Sequence, residues 1–94
     1  MHNYKVRYRF ETVRKDYTLL HDRYSCVMFS NEGETPVLIN GNAIANPGES
    51  LKFNEDPNVR IATDFNVHFV EDPNDPTLTK HCVITCSYYE PIHY

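Results

Sequence analysis

The chain has 94 residues, 40 % of them apolar, 23 % charged and 13 % aromatic, with seven Tyr, five Phe and no Trp, and a formal charge of −4. That length supports one core, burying roughly 60–65 % of the unfolded surface, and the composition excludes a disordered tail. No apolar run approaches the roughly 18 residues of a membrane helix.

Aromatic and β-branched residues favour strands, and the chain reads as a series of them. From Asn3 to Val13 the sequence alternates: Tyr4, Val6, Tyr8 and Phe10 on one side, Lys5, Arg7, Arg9 and Glu11 on the other. Period two predicts a strand, with the aromatic side expected inward and the basic side outward. Arg14 to Asp16 is a polar turn, and Tyr17–Leu20 is a short strand or one helical turn capped by Asp16, the strand being preferred. Tyr24–Ser30 is apolar on both parities, as a central strand covered on both faces would be. A loop is expected over residues 31–34, with Gly33 free to take positive φ.

The stretch that organises the chain is PVLINGNAIANPGESLKF, Pro36 to Phe53. Val37–Ile39 and Ala43–Ala45 flank Asn40-Gly41, a pair that tolerates the positive φ of a type I′ hairpin turn. Pro47-Gly48 then turns the chain into Leu51 and Phe53. Val59–Val70 is expected as one long strand, bent near Ala62–Asp64. Glu71–Leu78 is a Pro-stiffened acidic loop. Thr79–Tyr89 alternates again and is expected as the last strand, leaving residues 90–94 as a short aromatic tail. Seven or eight short strands with no amphipathic helix predict an all-β, antiparallel sandwich of immunoglobulin-like or jelly-roll-like form, in a single domain over residues 1–94.

Charge is uneven. Residues 1–23 hold six Lys/Arg and three Asp/Glu, whereas the remaining 71 hold three and ten. A basic strand on an acidic body points to charge-complementary contact between copies or to nucleic-acid contact. Single-strand nucleic-acid surfaces put bases and aromatics on one face. Here alternation separates them, which argues against nucleic acid.

No catalytic constellation is visible. Five His could act as bases, but none has a recognisable nucleophile nearby, and phosphate-cradling or Rossmann glycines are missing. His81, Cys82 and Cys86 resemble metal ligands in composition only. On a strand the two thiols lie about 13 Å apart, too far for one zinc, and His81 faces the other way. Glu71, Asp72 and Asp75 lack the glycine-bearing pattern of a calcium loop. No metal or cofactor is therefore expected. The odd cysteine count, Cys26, Cys82 and Cys86, predicts reduced buried thiols, with a Cys26 pairing to Cys82 or Cys86 left open.

Residues Gly33–Phe69 run G-E-T-P-V-L-I-N-G, then N-P-G-E-S-L-K-F, then R-I-A-T-D-F-N-V-H-F. This order resembles small β-sandwich proteins of tailed bacteriophages and prophages, which serve as capsid decoration or tail components. The resemblance implies a non-enzymatic virion-type subunit acting through protein–protein contacts and carries over no functional residue. Lys5, Arg7, Arg9, Tyr89, Ile92 and Tyr94 are the expected partner contacts, with copies of the chain or a capsid or tail protein as partner and no role for a membrane. The alternative is a carbohydrate- or surface-binding sandwich using Tyr and Asn on loop or sheet faces, for which a flat, exposed cluster of Tyr88, Tyr89, Tyr24 or Tyr17 would be the sign. With no signal-peptide-like apolar run, the expected location is the virion if phage-encoded and otherwise the cytoplasm.

Overall fold

A computed structural model describes residues 3–54 and 56–92. The described residues form eight strands and no helix. These are β1 (Tyr4–Val13), β2 (Tyr17–Leu19), β3 (Cys26–Asn31), β4 (Val37–Ile39), β5 (Ala43–Ala45), β6 (Ser50–Phe53), β7 (Phe65–Phe69) and β8 (Cys82–Pro91). They pair only antiparallel, in two four-stranded sheets of order β1-β8-β3-β6 and β2-β7-β4-β5. The pairs β4·β5, β3·β6, β2·β7 and β1·β8 are nested, so the chain is one long hairpin folded over on itself. That wrapping is a jelly roll. Asn40-Gly41 sits at its innermost tip.

The turn chemistry follows the sequence. Asn40 and Gly41 have φ of 52° and 65°, and the Asn42 N–H donates to the Ile39 carbonyl at 3.1 Å. The connection is one residue longer than a two-residue turn, because Ile39 pairs with Ala43. Gly48, with φ of 85°, serves the second turn. Gly33 differs from expectation. Its φ is not positive; what demands glycine is a close approach, since a Cβ there would lie 2.7 Å from the His81 nitrogen and 2.8 Å from the Thr79 carbonyl oxygen.

The core lies between the sheets. Val13, Val27, Phe29, Cys82, Ile84 and Cys86 face Leu19, Val37, Ile39, Ala45, Phe65, Val67 and Phe69. Phe29, Phe53 and Phe65 meet edge-on or tilted, with centroids 5.0–5.8 Å apart, geometries that aromatic quadrupoles favour. Asn31 is not in a loop. It ends β3, is buried, and its Nδ2 donates to the carbonyls of Thr35 and Ala45, both at 2.9 Å, while its Oδ1 accepts from the Gly33 N–H at 3.0 Å.

Two strand expectations are corrected. Of residues 59–70, only Phe65–Phe69 is strand. Residues before it are held by other bonds: the Ile61 N–H donates to the Tyr24 carbonyl at 2.7 Å, and Arg60 donates to the Ser25 hydroxyl and to the Tyr89 carbonyl. The last strand starts at Cys82 rather than Thr79 and runs to Pro91. Glu90 and Pro91 pair with Lys5 and Tyr4, so a free tail from residue 90 does not exist; the strand continues because β1 offers it a partner. β3 meets β8 only as far as Ser87. Beyond that point β1 and β8 form a two-stranded ribbon, and the molecule is elongated, 58 × 19 × 16 Å.

Candidate functional site: the outer face of the β1–β8 ribbon

β1 is an edge strand. Its ten residues pair with β8 without a break in register, from Tyr4↔Pro91 to Val13↔Cys82. Side-chain period two means that one inward residue sets the side of all the rest. That residue is Val13, which is buried in the core. Glu11, Arg9, Arg7 and Lys5 share its parity and face the sandwich side of the sheet. Glu11 accepts from the Tyr17 hydroxyl at 2.7 Å. Arg9 pairs with Glu11 and donates to the Tyr24 hydroxyl at 3.1 Å. Arg7 lies 3.7 Å from Glu90. β2, only three residues long, cannot cover this side, so the row stays wet at the sandwich margin.

The expected orientation of the first strand is therefore inverted. Val6, Tyr8 and Phe10 point away from the core and are 37 %, 60 % and 67 % exposed. Tyr8 and Phe10 stack, centroids 6.1 Å apart and planes 20° from parallel. The register places Tyr89 beside Val6, Ser87 beside Tyr8 and Thr85 beside Phe10, with Met28 beside Thr85 on the next strand. A shallow depression of about 160 Å³ lies among Tyr8, Met28, Lys52 and Tyr89. Among the described residues this is an apolar sheet face without a covering layer.

The sequence-predicted contacts divide accordingly. Lys5, Arg7 and Arg9 lie together on the sandwich side of β1, whereas Tyr89 lies on the opposite, outer face. Ile92 follows β8, is partly exposed, and donates its N–H to the Asn3 carbonyl at 3.0 Å. Tyr94 lies outside the described residues. Hydrophobicity alone puts Tyr4, Val6, Tyr8 and Phe10 inward. The signal that corrects this is Val13, whose odd number groups it with the basic row.

Tyr17, Tyr24, Tyr88 and Tyr89 do not come together in one flat, exposed cluster. Tyr24 is buried, Tyr88 leans on it at 5.1 Å, Tyr17 bonds to Glu11, and Tyr89 is across the sheet. The three cysteines are buried, with no disulfide between them. Cys26 pairs across the sheet with Ser87 and Val27 with Cys86, so Cys26 and Cys86 face opposite sides. Burial pushes the thiols of Cys82 and Cys86 up to about 11, which holds them protonated and poorly nucleophilic at neutral pH. Among the described residues no group of three or more His, Cys, Asp or Glu side chains could hold a metal ion. No protein family, characterised protein or solved structure matches this chain.

Proposed function

We propose that this chain is a non-enzymatic assembly subunit that docks onto protein through the outer face of β1 and β8. The observation that carries this reading is the outward pair Tyr8 and Phe10. Two large aromatics on a regular strand, turned to solvent while arginines take the sandwich side, cost solubility and contribute little to the chain's own core. Such residues are the usual anchors of protein interfaces, where they fill a partner's surface and exclude water. The basic row along the same strand would steer an acidic partner into place.

A virion-type setting, as capsid decoration or tail component, is the finer form of the proposal. It is supported by the turn and hairpin order of Gly33–Phe69 and by the use of jelly rolls in viral capsids, an association of fold and not a derivation from a site. The test is co-sedimentation of the purified chain with shells and tails assembled from the products of neighbouring genes. Binding is expected, with at least a tenfold loss in a Tyr8→Ser/Phe10→Ser variant that keeps its circular dichroism spectrum. Binding that is unchanged by that variant, or absent with every assembly, would sink the reading.

A further inference from the structure

The outer face has a companion feature on the same strand: an unpaired edge. In an antiparallel ladder successive residues alternate between directing their N–H and C=O to one neighbour and to the other. The Ile92 N–H donates to the Asn3 carbonyl, so odd-numbered residues bond towards β8. The unbroken register then leaves the N–H and C=O groups of Tyr4, Val6, Tyr8, Phe10 and Thr12 aimed at the open side. β1 carries no proline and no bulge, the usual means of blunting an edge. Its charges are the one such device present, and two of them have partners within the chain, Arg9 on Glu11 and Arg7 on Glu90.

We propose that the occupant of this edge is a second copy of the chain, paired β1 to β1 antiparallel about a two-fold axis. This rests on the docking role proposed above and supplies its first partner. Two-fold pairing keeps odd residues opposite odd and even opposite even, so the two aromatic faces join into one. Charge and the length of the overlap together select the register. Centring on Tyr8 sets Arg7 against the second copy's Arg9 twice. Centring on Phe10 sets Arg9 opposite Glu11 twice but puts Val6 against Arg14 and leaves only seven residues of β1 paired. Centring on Arg9 sets Arg7 opposite Glu11 twice, Tyr8 beside Phe10 twice and Val6 beside Thr12, at the cost of one like pair whose members are each held by their own Glu11 and Tyr24. The product is a continuous eight-stranded sheet with four stacked aromatics at its centre. Nine residue pairs span about 30 Å and cover less than the roughly 800 Å² per partner of a standard stable complex. The dimer is accordingly weak and dependent on concentration, in the micromolar range, and local crowding within an assembly would fill it.

The test is sedimentation equilibrium of the full chain from about 1 μM to about 1 mM, with two variants. Val6→Pro removes an outward N–H, keeps Tyr8 and Phe10, and leaves the bonds to β8 intact; edge strands accept proline at such positions. The dimer constant is expected to weaken at least tenfold with no change in circular dichroism. Arg9→Cys places two thiols at a close, non-hydrogen-bonded pair about 4.5 Å apart at Cα, and oxidation is expected to give a covalent dimer. A monomer across the whole range overturns the proposal. So does a dimer that Val6→Pro leaves untouched and Arg9→Cys fails to link, since the copies would then meet face to face. If the chain is monomeric yet still binds a virion assembly through Tyr8 and Phe10, the self-pairing falls and the docking role stands.

Discussion

Asn31 shows how one polar side chain can fix a corner of the fold. It joins the end of β3 to Thr35, to Ala45 on β5 and to Gly33, and it sits wholly inside. Removing it takes a hydrogen bond from the Thr35 and Ala45 carbonyls and from the Gly33 N–H, and such losses at buried groups cost about 1–3 kcal/mol each where water cannot replace them. Asn31→Ala is expected to lower stability by about 3 kcal/mol, read as a fall in the urea midpoint with an unchanged m-value. Sequence reasoning placed Asn31 in a loop because Asn favours turns. Nothing local distinguishes an Asn that caps a turn from one that bonds three distant segments. Gly33 carries the same lesson. The residue type signalled a special position, but the reason, main chain pressing from residues 79–81, was invisible without the long-range pairing.

Elements were legible where turn chemistry or unbroken alternation marked them. The central hairpin, the short β2 and the alternation of β1 and β8 were all read correctly as strands. Their facing was harder. Alternation yields two sides, and choosing the apolar one as inward fails for a strand whose outer side is itself sticky. Residues 59–64 failed for another reason: their apolar and β-branched content suits a strand, but Arg60 and Ile61 bond to Ser25, Tyr89 and Tyr24 rather than to a neighbouring ladder. The turn between β1 and β2 fastens to β7 through Asp16, whose Oδ1 accepts the Phe69 N–H at 2.9 Å and whose Oδ2 lies 2.6 Å from His68 Nδ1. The Phe69 N–H, followed by His68, holds this carboxyl below its ordinary 3.8. A carboxyl lowered on folding stabilises the protein above its unfolded pKa, and that stability is lost as pH falls through the lowered value. Stability is therefore expected to decline below about pH 4, and Asp16→Asn to reduce the decline while lowering stability at pH 7, as urea midpoints across pH 2–7 would show. The exposure of the carboxylate keeps the effect small.

At the scale of the whole molecule, the number of strands and their antiparallel sandwich were readable, but the choice between immunoglobulin-like and jelly-roll wrapping was not. That choice depends on which strands far apart in sequence become neighbours. β1 and β8 lie at opposite ends of the chain, and it is their pairing that carries Val13 into the core and turns the aromatic side out, so the candidate site was the least legible part of all. The same closure has a use in construction. Because Tyr4 stands opposite Pro91 and Asn3 is bonded to Ile92, a short glycine linker could join Ile92 directly to Asn3, and fresh ends could be cut at the solvent-exposed Gly41. Such a rearranged polypeptide would keep every ladder while making the ten-pair β1·β8 ladder local and the three-pair β4·β5 ladder remote; because the longer ladder is the one brought close, stopped-flow refolding should be faster than for the parent order.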